Sequence, residues 1–253
     1  MARFKTSLKG VLSQIGVAVA LAACGASVKA GSIVLTPVAD AFVSTAQSSR
    51  NYGGAGALSV AAPGLADGGF ESVLRFNTAA AKTSFDAEFG PGNWTISGAS
   101  LGLNAAFPMH PTFNATSAGS MSITWMENDL WVEGFGTPNF SSAQGITFAT
   151  LPSFISANDQ SLGVYAFDGS TSGTREYALG LPLGFADDAQ SGGLVSLRLA
   201  AGDATVSYLF NARNFNNPAT WPALTLTAVP EPGTAMLVCA LLAGLAARRR
   251  RAR

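Results

Sequence analysis

Hydrophobic and polar positions alternate with a period of two through much of residues 31–229. In Ser72-Val73-Leu74-Arg75-Phe76-Asn77, Val73, Arg75 and Asn77 fall on one side while Leu74 and Phe76 fall on the other. A strand points successive side chains to opposite faces, so the pattern predicts strands with one buried face. Strands are expected at 32–36, 40–44, 57–61, 72–77, 95–107, 122–126, 146–151, 162–167, 175–181, 194–199, 205–210 and 223–227. Turn-rich pieces such as Ala62-Pro63-Gly64, Phe89-Gly90-Pro91-Gly92-Asn93 and Ser191-Gly192-Gly193 separate them. No stretch among them carries the apolar spacing of a long amphipathic helix. The expectation is an all-β domain over residues 31–227, an antiparallel β-sandwich of jelly-roll type.

The two ends are patterned differently. Arg3, Lys5 and Lys9 precede an apolar run over residues 11–23, and Val28-Lys29-Ala30 offers small residues at the positions a signal peptidase reads. That order predicts a secretory signal peptide over residues 1–30 with cleavage after Ala30. Leu21-Ala22-Ala23-Cys24 also fits a lipobox, in which Cys24 would be lipidated. At the other end Pro230-Glu231-Pro232 is followed by an apolar stretch, 234–247, and then by Arg248, Arg249, Arg250, Arg251 and Arg253. The apolar stretch would rise roughly 21 Å as a helix, against about 20 residues for a full crossing, so it spans a membrane only with local thinning and snorkelling arginines. The arginines are expected to stop the chain with its end in the cytoplasm.

This three-part ending over residues 228–253 resembles the PEP-CTERM sorting signal of exported proteins of Gram-negative bacteria. The resemblance implies recognition by an exosortase, a membrane-embedded enzyme acting near Pro230-Glu231-Pro232, in cells that make extracellular polysaccharide. A plain membrane anchor is the alternative.

Charge separates the modules further. Four bases lie in residues 1–30 and five in the tail, leaving six bases against fourteen acids in residues 31–229, a net charge of 6 − 14 = −8. An acidic, base-poor domain argues against nucleic-acid binding, which needs clustered Lys and Arg. Cys24 and Cys239 both lie outside residues 31–227, so that domain has no disulfide and rests on its core.

A second resemblance covers most of residues 33–227. Pro37-Val38-Ala39-Asp40-Ala41-Phe42-Val43, Asn51-Tyr52-Gly53 and Leu74-Arg75-Phe76 are similar to the opening elements of DNRLRE-type domains. Trp125-Met126-Glu127 and Gly145-Ile146-Thr147-Phe148 are similar to later elements of the same domains. The resemblance implies a secreted β-sandwich associated with polysaccharide binding or cell-surface adhesion.

Candidate chemistry concentrates between Trp125 and Gly134. If the strand continues, Trp125, Glu127 and Asp129 share one face, placing an aromatic platform beside two carboxylates, an arrangement that suits carbohydrate recognition. The competing reading packs Trp125 and Trp131 in the core and starts an exposed loop with the acids, the usual fate of large aromatics in β domains. Oxygen ligands for a structural calcium would come from Glu127, Asp129 and Glu133, with Asp187-Asp188 as a second acidic group; solvated acids are the alternative. A glycosidase would need two carboxyls across a cleft, and nothing in the sequence frames one. The sole histidine, His110, sits between prolines and reads as part of a rigid loop. The expectation is an exported, non-enzymatic surface or matrix protein with exosortase, membrane and extracellular polysaccharide as partners. A polysaccharide-active enzyme and a purely structural matrix protein are the rivals.

Overall fold

The computed structural model describes residues 29–106 and 117–231. Among the described residues the strands are β1 (Gly31–Leu35), β2 (Pro37–Ser44), β3 (Ala57–Ala61), β4 (Phe70–Asn77), β5 (Trp94–Asn104), β6 (Gly119–Met126), β7 (Gln160–Phe167), β8 (Thr174–Leu179), β9 (Leu194–Ala201), β10 (Ser207–Asn211) and β11 (Ala223–Pro230). They form two antiparallel sheets. One has the order β1-β11-β5-β8; the other runs β10-β3-β4-β9-β6-β7, with β2 also paired along β4.

Period-two alternation builds the layer between the sheets. Leu224, Leu226 and Ala228 of β11 and Leu101 and Leu103 of β5 meet Leu74 and Phe76 of β4, Val195, Leu197 and Leu199 of β9, and Met121, Ile123 and Trp125 of β6 in one buried cluster. Each fully buried side chain of this size contributes roughly 2 kcal/mol of apolar transfer, so this layer is the principal source of stability. Tyr208 and Phe167 stack within it.

The larger sheet is also covered on its outer face. Val73 of β4 joins Ala39, Ala41 and Val43 of β2 and Met126, Trp131, Ile146 and Leu151 in a second buried cluster. The cover is the long connection between β6 and β7. Its one regular piece is a short 3-10 turn, Leu151–Phe154.

Several expectations change. Residues 146–151 are not a strand: Leu151 N–H bonds to Thr147 O, and the Thr147 amide donates to the Thr150 hydroxyl, so local side-chain bonds replace a ladder. Two helices were not expected, α1 (Ala79–Phe89) and α2 (Leu183–Ser191). Each buries a single i, i+4 pair, Ala81 with Phe85 and Phe185 with Ala189, which leaves no long apolar stripe to read. The strand expected at 95–107 ends at Asn104, and Phe107 lies outside the described residues. So do residues 1–28, Cys24 included, and 232–253, and with them all but the last two residues of the expected signal peptide and the whole C-terminal apolar segment. Among the described residues no helix is long and apolar enough to cross a membrane.

Candidate functional site

The residues between Trp125 and Gly134 do not share a face. β6 ends at Met126, and Trp125 follows Met121 and Ile123 inward, leaving 6% of its surface exposed. Its Nε1–H donates to Asp188 Oδ2 at 2.9 Å, and its ring lies against Gly184 in the first turn of α2. The expected aromatic platform at Trp125 is therefore corrected: the inward alternation of β6 carries the ring into the core.

Beyond Met126 the chain leaves the ladder, and each carboxylate finds its own partners. Glu127 is exposed, with Ser156 Oγ at 2.7 Å and Asn158 Nδ2 at 3.0 Å, bonds that hold its carboxyl below the usual range. Its own amide donates to Asp159 Oδ1. The half-buried Asp129 has its carboxyl pushed up to about 6 by burial first, with a Ser196 hydrogen bond opposing and the Asp188 charge adding to the rise. Burial likewise raises Asp188, against the bond from Trp125. Trp131 is fully buried and donates from Nε1 to Ser196 Oγ. Arg75 sits 4.7 Å over the Trp131 ring and donates to the carbonyls of Asp129 and Trp131.

Glu133 belongs to another constellation. Its Oε1 accepts from Arg213 Nε at 2.9 Å and from the Asp40 amide at 3.2 Å, while Oε2 accepts from Arg213 Nη2. Asp40 is buried, accepts from the Arg213 amide, and has its carboxyl raised to about 7, with desolvation as the first cause. Asn51 ties the same region together: its Nδ2 donates to the carbonyls of Glu133 and Ile146, and its Oδ1 accepts from the amides of Gly53 and Gly136. Glu127, Asp129 and Glu133 thus point to three separate sets of partners, a correction to the expected calcium set. Asp187 is exposed while Asp188 is taken up by Trp125. Among the described residues no three His, Cys, Asp or Glu side chains gather as metal ligands. His110 lies outside the described residues.

Around this constellation the surface carries aromatic rings. Phe135 and Phe140 are 64% and 76% exposed, and Phe215 is 37% exposed. Gly54 bonds to Gly136 O, and Ala212 N–H bonds to Gly56 O, so the segments bearing Phe135 and Phe215 both pack on residues 53–56. Asn214, Asn216 and Asn217 flank Phe215 and are exposed. Phe140 closes a tight turn on Thr137, and Arg50 Nε donates to the adjacent Ser141 hydroxyl. These rings were missed from sequence; the available signal was Phe135 and Phe140 set among Gly, Thr, Pro and Asn, where no core face exists for them.

At the C-terminal edge, Pro230 ends β11 and the Glu231 amide donates to Asn93 O; Ala30 is exposed just ahead of β1. Pro232 and the arginines at 248, 249, 250, 251 and 253 lie outside the described residues. The molecule is an antiparallel two-sheet β protein whose last strand leads into a terminal signal. Residues 228–251 match the model of the PEP-CTERM protein-sorting motif. That motif implies export to the cell envelope or surface, with an exosortase as processing partner. No curated protein matches the chain.

Proposed function

We propose that this is a non-enzymatic protein of the envelope, cell surface or extracellular matrix that binds or structures extracellular polysaccharide after exosortase processing. The observation that carries the sugar reading is the exposure of Phe135, Phe140 and Phe215, of which Phe135 and Phe215 stand on segments that both pack on residues 53–56, with the exposed Asn216 next to Phe215 in the chain. Rings cover the apolar faces of sugars, and amides both donate to and accept from hydroxyls. With a charge of −8 over residues 31–229, neutral glycans suit the surface better than anionic ones, which would need calcium to bridge them.

The strand order supports a jelly-roll reading: β1-β11-β5-β8 in one sheet is matched by β4-β9-β6-β7 in the other. The DNRLRE-type reading is supported by the joint use of its elements, since Asp40, Asn51 and Arg75 all brace the connection between β6 and β7. The rival enzyme reading draws on the raised carboxyls of Asp129 and Asp188 and on Asp129 Oδ1, buried with no hydrogen-bond partner among the described residues.

The test titrates the exported protein against a polysaccharide array with and without calcium. Binding to a neutral glycan that falls at least tenfold in Phe135→Ala/Phe140→Ala, with an unchanged melting temperature, supports the proposal. Absence of binding to every glycan turns the reading to a structural matrix protein. Release of shortened sugars, abolished by Asp129→Asn, turns it to an enzyme.

A further inference from the structure

The sorting motif and the β-sandwich share residues. β11 runs Ala223–Pro230, whereas the motif match begins at residue 228, so the last turn of the ladder is also the first part of the signal. The ladder between β11 and β5 is broken at this boundary: Thr227 opposes Gly98 but Ala228 opposes Ile96, leaving Ser97 as an extra residue on β5. Beyond the bulge only three pairs remain, Ala228 with Ile96, Val229 with Thr95 and Pro230 with Trp94, followed by the Glu231 amide on Asn93 O at 2.9 Å.

Support is also one-sided there. β1 pairs with β11 only as far as Gly31 opposite Ala228, so within the sheet Val229 and Pro230 pair with β5 only, and the Glu231 amide bonds to Asn93 just ahead of β5. Ala228 is buried, Val229 and Pro230 are half-buried, and Glu231 is exposed. The segment from 229 onward is thus a short, weakly held unit next to a strand portion fixed from both sides.

We propose that the sorting motif is latched by the fold, and that residues 229–231 must peel from β5 before an exosortase can engage Pro230-Glu231-Pro232. The reason is stereochemical. A processing enzyme that takes its substrate as an extended segment needs the backbone groups around the motif, and here Val229 is paired with Thr95 of β5 and the Glu231 amide is bonded to Asn93. Peeling stops at Ala228, which is buried and paired on both edges. The domain can therefore stay folded while its last three described residues open, and processing proceeds at a rate set by this local opening. The inference rests on the sorting motif and is independent of the sugar reading.

The test locks the latch in the full-length precursor, in cells that process the wild-type chain. Thr95 and Val229 are directly opposed in antiparallel strands, a separation of about 5 Å that suits a disulfide. In Thr95→Cys/Val229→Cys, cross-linked precursor is expected to accumulate, with processing slowed at least tenfold and restored by reductant. Thr95→Cys alone is expected to process like wild type, and Val229→Cys alone, which cannot form the cross-link, sets the reference rate for the double variant. Wild-type processing in the same cells separates failure of the latch from failure of the sorting reading. Cross-linked precursor, verified by thiol alkylation, that is processed at the wild-type rate overturns the proposal. Hydrogen exchange gives a readout that needs no cross-link. The Val229 and Glu231 amides should exchange at least tenfold faster than those of Thr225 and Leu226; exchange of all four as one unit overturns it.

Discussion

Arg213 grips Glu133 through both oxygens, with Nε 2.9 Å from Oε1 and Nη2 bonded to Oε2. The contact fastens the turn after β10 to the connection between β6 and β7, 80 residues apart in sequence. Both side chains are largely buried, 30% and 14% exposed, so the fork is shielded from the screening that weakens surface pairs. Arg213→Ala is expected to cost about 2–3 kcal/mol, much of it from stranding the carboxylate of Glu133. Urea unfolding measures it. Arg175→Ala, which removes an exposed pair with Asp168, should leave the midpoint unchanged; equal losses in the two variants would mean that the buried fork carries no special weight.

Asp40 makes stability depend on pH. Burial pushes its carboxyl up to about 7, the bond from the Arg213 amide pulls it down, and the Glu133 charge pushes it up again. An unfolded Asp titrates near about 3.9. The folded state holds the proton more tightly, so this contribution is full below about pH 4 and is lost as pH rises through about 7. Asp129, raised to about 6, and Asp188, also raised, act in the same sense. The protein should unfold at higher denaturant at pH 5 than at pH 8. Asp40→Asn, which still offers a carbonyl to the Arg213 amide, should remove on the order of 3 kcal/mol of that difference. An unchanged difference in the variant would place the pH dependence on other groups.

The strands were legible because their alternation is a local property, and the site was not because its contacts are distant. In β4, Leu74 and Phe76 turn to the main core as the pattern predicts, yet Val73 on the opposite face is buried too. Its cover comes from β2 and from Trp131, Ile146 and Leu151, which no window around Val73 contains. Extending the alternation past Met126 assigned Glu127 and Asp129 to the face of Trp125, but the strand ends there and side-chain bonds to Ser156 and Asn158 take over. Asp40, Asn51 and Arg75 stood out through the DNRLRE-type resemblance, though their bracing role did not. Arg213 lies in an Asn-rich turn without periodicity, and only the scarcity of bases in the domain could have singled it out.

Two glycines with left-handed backbones separate strain from crowding. Gly134 has φ +75°, and a Cβ there would collide with Gln144 O and with Asn51 Oδ1. Gly92 has φ +69° with nothing near enough to meet a Cβ. Gly92→Ala is expected to cost roughly 1 kcal/mol, the backbone preference alone. Gly134→Ala should cost well above that, because the 133–136 segment must move off Asn51 and surrender its bonds. Limited proteolysis would show the difference as cleavage within residues 127–159 of the Gly134 variant only. Equal thermal shifts and equal protease resistance in both would contradict the bracing role given to Asn51.

Trp125 decides between a buried and an exposed role for the most conspicuous aromatic of the chemistry-bearing stretch. Trp125→Ala empties a core position and is expected to cost about 3–5 kcal/mol, so loss of ligand binding in that variant would carry no information about contact. Trp125→Phe keeps a ring between β6 and α2 but removes the donor to Asp188, leaving a half-buried carboxyl short of one bond. The expected cost is about 1–2 kcal/mol, with the Asp188 carboxyl rising further because the bond that lowers it is gone. If the sugar surface lies at Phe135 and Phe140, Trp125→Phe binds glycan like wild type at temperatures where both are folded, while Phe135→Ala does not. Glycan binding lost in Trp125→Phe but kept in Phe135→Ala would move the site to the contact between β6 and α2, where Asp188 and Gln160 stand beside the ring.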